Sequence, residues 1–391
     1  MTTFAALFVP APLRAAVSDG AWLAAMVDVE RALANAAARA GFAPAEAAAA
    51  IAEQCDPALY DVERLCDEGR SAGNPAEPLV RALRERVGGD DARWVHLGAT
   101  SQDVMDSAAM LVARNALGLI DDELDGIART CARLAEEHRG TAMAARTLLQ
   151  QAVTTTFGLK AAGWLVGVLD ARLRLGRLTL PAQLGGAAGT LAVFGTSGTE
   201  VSRLFAEELG LAEPALPWHA HRGRIAELAG GLAAVASASA KIGLDVTLLA
   251  QTEVGEVSEA PGGQSSTMPH KRNPARAVRA RACARGVHAQ VRVLSEGEHE
   301  HERAAGAWHA EWNALSEALA LAGGSAAAIR DCLDGLEVHA DRMRANMSDD
   351  LFAERDSLVE KGLLAADGDT AYLGSADVFV DRALERFRET Q

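Results

Sequence analysis

Apolar residues at Ile225, Leu228, Leu232, Val235, Ile242, Val246 and Leu249 recur in alternating steps of three and four, with only Ser239 polar in that register. A second run of the same kind passes through Leu117, Ile120, Leu124, Ile127, Cys131 and Leu134, and Gly140 follows as a stop. Such steps align side chains in one stripe along an α-helix. A stripe kept this long requires helices packed lengthwise at shallow angles, as in a bundle. Ser239 is small enough for a tight helix contact. Segment 275–336 is less regular, but Trp308, Trp312, Leu315 and Leu319 give it an apolar stripe. Segments 21–40 and 154–180 also read as long helices. The stripes read as core.

Composition agrees with a helical chain. Among 391 residues there are only 2 tyrosines and 9 phenylalanines, while alanine, leucine, glutamate and arginine dominate, a mixture that favours helix over sheet. A net charge of −15 argues against general nucleic-acid or anionic-membrane binding, which needs a basic excess. A local cationic pocket for a small anion remains compatible with it. Cys55, Cys66, Cys131, Cys283 and Cys332 are widely spaced and form no C-x-x-C pair, so neither a disulfide framework nor a zinc site is expected, and a reducing cytoplasm fits. The start, MTTFAALFVP, has no basic residue before its apolar stretch and makes a poor secretion signal. No uninterrupted apolar run has the length of a membrane span. PAQLGGAAGT, 181–190, reads as a tight turn between helices; it lacks G-x-G-x-x-G and a preceding β-branched strand, so a dinucleotide fold is not expected. The end of the chain reads as a loop followed by one short helix.

One loop is dense in polar groups. GGQSSTMPHKRNP, 262–274, interrupts alanine-rich helical sequence. Ser265, Ser266, Lys271 and Asn273 can donate to carboxylate oxygens, and the glycines free backbone N–H groups to do the same. Taken singly, such residues are turn or solvent residues. The complete string resembles the G-S-S-x-M-P-x-K-x-N signature of the fumarase/aspartase superfamily, with Gln264 in place of the glycine and Ser265, Ser266, Met268, Pro269, Lys271 and Asn273 in register. VHLGATSQDVMDSA, 95–108, resembles the first family region, H-x-G-x-T-S-x-D, through His96, Thr100, Ser101 and Asp103. ARTLLQQA, 145–152, resembles the second, R-T-H-x-Q-x-A, through Arg146, Thr147, Gln150 and Ala152. Leu148 stands in the slot of its histidine. Within the superfamily the flanks SAGNPAEPLV, TTFGLKAAGWL, LGGAAGTLAVFG and HERAAGAWHAEW resemble the bacterial 3-carboxy-cis,cis-muconate cycloisomerases, more closely than the adenylosuccinate lyases.

The resemblance implies an all-α, three-region protomer: an N-terminal helical domain (1–105), a central long-helix bundle for tetramerisation (106–336) and a short C-terminal helical region (337–391). It implies a homotetramer whose active sites combine the three motif regions from different subunits, a polycarboxylate substrate, no cofactor and no metal. Ser265 is implied as the catalytic base, and Lys271 as the group that meets the charge developing on the carboxylate. His96, Thr100, Ser101, Thr147, Gln150, Gln151, Ser266, Met268, Asn273 and Arg303 are implied as substrate-binding. Fumarase-like relatives place a histidine where Leu148 stands and a glutamate where Val278 stands. Both are missing together. Expelling hydroxide or an amine needs a proton donor, whereas a carboxylate leaves without one because its conjugate acid is already strong, with a pKa of about 4. The departure therefore favours lactone chemistry and tolerates another stable anion, such as nitrite. Gln151 stands where some subfamily members carry histidine. The C-terminal region is shorter than is usual in the family, so much of a third helical domain is expected to be absent. Alternatives are a related lyase acting on a succinate-type substrate with a good leaving group, and a helical scaffold without activity, against which the intact polar loop argues. The pairs His219/His221 and His299/His301 are spaced i,i+2, which a helix sends to different faces; they read as solvated helical surface rather than metal ligands.

Overall fold

The computed structural model describes residues 4–260, 263–264, 268, 271–297, 299–366, 368–369 and 371–390. Helix dominates, and the strands described form only three two-stranded pairs. The chain divides into two compact units. The first comprises Met1–Leu119, Arg177–Leu232 and Gly286–Leu321, and the second Ile120–Gly176, Ala233–Arg285 and Ala322–Gln391. Four long helices, Ser101–Glu137, Gly223–Leu249, Ala275–Leu294 and Ala307–Asp334, contribute residues to both.

The periodic stripes are the core, apart from Leu117 and Trp312, which are half-buried. In the first unit Ile225, Leu228 and Leu232 are at most 1% exposed, as are Met26, Val29 and Leu33 of the Asp19–Arg39 helix. That helix starts where the Ser18 hydroxyl accepts from Ala21 N at 3.2 Å, satisfying one of its free amides. In the second unit Ile120, Leu124, Ile127 and Cys131 are fully buried, as are Val235 and Val246. Each such side chain contributes about 1.5–3 kcal/mol by leaving water. The Gly223–Leu249 helix is long and apolar enough to cross a membrane by length and composition, yet half of its most apolar window is buried inside the protein. Ser239 is 1% exposed within that stripe, as a tight contact requires.

Three local expectations change. Residues 150–156 are a strand, paired antiparallel with Ala142–Thr147, and the following helix begins only at Phe157. Val153 and three consecutive threonines are β-branched, which favours a strand over the start of a helix. Segment 275–336 breaks between Leu294 and Ala307, a stretch that contains Gly297 and Gly306. The tail carries Ala340–Ala345 and Ala353–Glu360 as well as the expected last helix, Ala376–Arg388.

Residues 181–186 are not a tight turn. They run buried and extended past the Ser101–Glu137 helix, where Gln183 N donates to Ser107 Oγ at 2.9 Å and Trp218 N donates to Gln183 Oε1 at 2.9 Å. Buried backbone of this kind persists only when its polar groups are paired, and here side chains share the pairing with backbone, Ala182 N donating to Ala212 O at 2.9 Å.

Candidate active site

In the first unit the first motif is organised around one carboxylate. Asp103, 1% exposed, lies in the first turn of the Ser101–Glu137 helix and reaches back to accept from Thr100 N at 3.0 Å, a capping arrangement. The same side chain accepts from Gly185 N at 3.0 Å and Gly186 N at 2.9 Å, and pairs with His219 Nε2 at 2.6 Å. The glycine-rich loop is thereby tied to the motif. Two glycines make the approach possible. Gly98 has φ 71° and a Cβ there would collide with the Phe194 ring; Gly186 has φ 67° and a Cβ there would strike the Gly98 carbonyl. Arg303 closes the other side of the loop, donating to the carbonyls of Gly186 and Ala187. Arg303 and, through Asp103, Thr100 are thus gathered around residues 185–187; both are half-buried, as is Ser101, the first residue of the helix. His96 belongs to the same cluster: Asp103 acts on its charge, and its Nδ1 lies 2.6 Å from Glu30.

Behind this cluster is a second ionic group that the sequence reading did not single out. Arg222, 3% exposed, donates to both oxygens of Asp106 at 2.8 and 2.9 Å and to both of Glu311. Trp308 Nε1 donates to Asp106 at 3.0 Å, and Gln102 Nε2 at 3.1 Å. Burial alone would lower the Arg222 guanidinium, but Asp106 and Glu311 outweigh it and hold the group above its ordinary value. Burial pushes the Glu311 carboxyl up, against the opposing pull of Arg222. No local spacing announces this set, because its members come from three separate stretches of chain, 102–106, 222 and 308–311.

The expectation that His219 and His299 are solvated helical surface fails. Neither lies in a helix. His219 is 4% exposed and bonded to Asp103, while the His299 side chain is fully buried, 3.4 Å from Glu311, with neither ring nitrogen hydrogen-bonded among the described residues. Burial and the Arg222 charge push the His299 imidazole below its ordinary value. Both histidines lie in irregular chain, where i,i+2 spacing does not set a face, and a buried carboxylate, Asp103, holds the His219 ring inward.

The second unit holds the other two motifs. Thr147 pairs with Gln150 at the end of the 142–156 hairpin, and the two turn residues, Leu148 and Leu149, have φ 49° and 65°. Two consecutive left-handed residues form the turn that suits a two-residue hairpin, normally filled by Asn-Gly. Here leucines fill it, 96% and 76% exposed. Thr147, Gln150 and Gln151 are exposed beside them. Arg146 turns inward and donates to both oxygens of the fully buried Glu256 at 2.9 and 2.6 Å, and Asn346 Nδ2 donates to the same carboxylate at 2.9 Å. Gln151 Nε2 donates to Asn346 O at 2.8 Å. Arg146 therefore anchors the hairpin to its own unit.

The signature loop is pinned at its base. Gly263 and Gln264 pair antiparallel with Asn273 and Arg272. Glu259, just before it, accepts from Arg276 N at 3.1 Å and Ala277 N at 2.9 Å, satisfying the first amides of the Ala275–Leu294 helix that leaves the loop. Ser265 and Ser266 lie outside the described residues. Met268 and Lys271 are exposed and Asn273 is half-buried. Val278, in the slot of the family glutamate, is 52% exposed. The site residues thus divide between the units: His96, Thr100, Ser101 and Arg303 in the first; Thr147, Gln150, Gln151, Met268, Lys271 and Asn273 in the second.

Comparison with known proteins agrees with this motif content. A family model described as lyase matches residues 12–291. Nitrosuccinate lyase of Streptomyces davaonensis is 49% identical over 353 residues, covering 86% of this chain and 74% of that protein. The 3-carboxy-cis,cis-muconate cycloisomerase of Pseudomonas aeruginosa is 47% identical over 354 residues, covering 88% of this chain and 77% of that protein. Among solved structures, the 3-carboxy-cis,cis-muconate lactonizing enzyme from Pseudomonas putida superimposes with a TM-score of 0.92 at 36% identity, covering 99% of each chain.

Proposed function

The chain belongs to the fumarase/aspartase superfamily of lyases, and on that premise we propose that it interconverts 3-carboxy-cis,cis-muconate and 4-carboxymuconolactone. In the closing direction a substrate carboxylate adds to the carbon β to a second carboxylate, and the α-carbon takes up a proton. In the opening direction that proton is removed and the ring carboxylate leaves. Removing a proton beside a carboxylate builds a second negative charge, which must be met by donors already in place. Lys271 and Asn273 take that role, Ser265 transfers the proton, and His96, Thr100, Ser101, Thr147 and Arg303 hold the carboxylates.

The observation that carries this reading is the paired departure at Leu148 and Val278. No acid–base pair stands at these positions, which suits a leaving group that is stable as an anion. The same observation favours a second reading, elimination of nitrite from nitrosuccinate, and the 49% identical relative supports it. Product analysis separates them. Loss of diene absorbance with formation of a lactone supports the cycloisomerase; fumarate and nitrite from nitrosuccinate, with the muconate untouched, would overturn it.

The active species in this reading is a cytoplasmic, cofactor-free homotetramer, with 106–336 as its central bundle between helical regions 1–105 and 337–391. Two features support shared sites. The motif residues fall into two separate units of one chain, and two leucines stand exposed in unfavourable backbone at the hairpin tip. Both are accounted for when that tip is covered by another subunit.

A further inference from the structure

His96 adopts left-handed backbone, φ 60°, which a non-glycine residue keeps only where its surroundings hold it. Its side chain is gripped. Nδ1 lies 2.6 Å from Oε1 of Glu30, whose side chain is fully buried on the Asp19–Arg39 helix. The second oxygen of Glu30, Oε2, is buried with no hydrogen-bond partner among the described residues. A buried carboxylate so poorly satisfied requires a donor or a cation beside it, and His96 is the group it has. The His96 side chain keeps 13% exposure, and among the described residues Nε2 has no hydrogen-bond partner.

Building on the reading of this cluster as a polycarboxylate site, we propose that Glu30 is its positioning residue, fixing the His96 ring through Nδ1 so that Nε2–H is the free donor to a substrate carboxylate. The helix that carries Glu30 belongs to none of the three family motifs quoted above. The charges around the ring agree with this role. Burial alone would lower the imidazole, and Arg84 of the Ala76–Val87 helix opposes its charge. Glu30, by its charge and its hydrogen bond, together with Asp103 of the Ser101–Glu137 helix, outweighs both and holds His96 above its ordinary value. An imidazolium donates from both nitrogens and accepts from neither. With Nδ1 committed to Glu30, Nε2 meets an anion as a charge-assisted donor.

Glu30→Gln preserves the size of the side chain and removes its charge. The experiment measures kcat and KM for 3-carboxy-cis,cis-muconate across pH, and the Kd of citrate as a tricarboxylate probe, for wild type, Glu30→Gln, Glu30→Asp, His96→Asn and the Glu30→Gln/His96→Asn pair. Glu30→Gln is expected to raise KM and the citrate Kd about tenfold near neutral pH, the loss of one charge-assisted contact, with a smaller change in kcat. The alkaline limb of kcat/KM moves to lower pH in Glu30→Gln, returns part way in Glu30→Asp and vanishes in His96→Asn. The pair of substitutions binds no more weakly than His96→Asn alone. An unshifted limb with unchanged KM, or losses that multiply in the pair, would overturn the assignment. Should Glu30→Gln fail to fold, the limb in Glu30→Asp and its absence in His96→Asn decide the matter. Citrate binding that follows Glu30 and His96 in an enzyme inert toward the muconate would sink the substrate reading and leave the positioning role standing.

Discussion

Asp103 and His219 meet at 2.6 Å although 116 residues separate them in the chain, and both are almost fully buried. The pair joins the start of the Ser101–Glu137 helix to the connection between the Gly198–Leu209 and Gly223–Leu249 helices. Because Asp103 also accepts from Thr100, Gly185 and Gly186, it fixes the backbone on which the proposed carboxylate-binding residues stand.

Asp103→Ala should be among the most damaging changes outside the signature loop. It leaves buried amides at Gly185 and Gly186 without an acceptor, each costing about 1–3 kcal/mol. A total loss of roughly 2–5 kcal/mol is expected in chemical unfolding, with turnover lost as well. A fully active variant of native stability would show that the loop is held by other means.

Gly98→Ala places a methyl group against the Phe194 ring in left-handed backbone. Strain and overpacking together predict a loss of about 2–4 kcal/mol. In the Phe194→Leu background the alanine should cost less, because the collision is removed and the backbone term remains. Equal costs in both backgrounds would exclude the collision as a cause.

Replacing Leu148–Leu149 with Asn-Gly separates local from intermolecular effects. In an isolated hairpin the change relieves two left-handed leucines and should stabilise by about 1–2 kcal/mol in total. In the assembled protein proposed here it removes an apolar plug, so sedimentation should show weaker assembly together with lower turnover. Unaltered assembly and activity would mean that the tip faces solvent in the working enzyme.

The His96–Glu30 pair also gives stability a pH dependence. The folded imidazole is held above its unfolded value, so its contribution is complete below about pH 6.5, the unfolded value, and fades as pH rises through the folded one. Thermal unfolding followed from pH 5.5 to 9 should therefore show a wild-type decline across that window which Glu30→Gln lacks. Parallel curves for the two proteins would contradict this linkage.

Much of the fold was legible in the sequence because helix packing writes a period into the chain. Ile225 through Leu249 and Ile120 through Leu134 could be assigned to the core from spacing alone, and they are buried. The hairpin at 142–156 was not found, since its two strands are short and Leu148–Leu149 is the opposite of a recognisable turn pair. The motif residues were legible through resemblance, and His96, Thr100 and Arg303 are all tied to Asp103 or to the loop it holds. Their supports were not. Glu30 and Glu311 sit on helices whose pattern reports only burial, Arg222 stands in the turn just before the Gly223–Leu249 helix, and a buried charged residue is readable only once its partner is known. Asp103 stood within a quoted motif, yet its hold on the glycine-rich loop runs to amides 82 and 83 residues away.

Lys271 and Ser265 have separable roles in the proposed mechanism. Ser265→Ala should abolish turnover and leave citrate binding near native, because proton transfer matters only in the transition state. Lys271→Ala should weaken citrate binding by about 1.5–3 kcal/mol and slow turnover too, as loss of a charge-assisted contact predicts. Near-native turnover in Ser265→Ala would relocate the base.

The central claim is the chemistry, and one comparison tests it most directly: kcat/KM for 3-carboxy-cis,cis-muconate and for nitrosuccinate, measured on the same preparation. The account predicts efficient conversion of the muconate to a lactone, with kcat/KM in the ordinary enzymatic range of about 10⁴ M⁻¹s⁻¹ or more, and a value at least about a hundredfold lower for nitrosuccinate, a discrimination of about 2.7 kcal/mol. The reverse ratio, with rapid release of nitrite and no loss of diene absorbance, would contradict it.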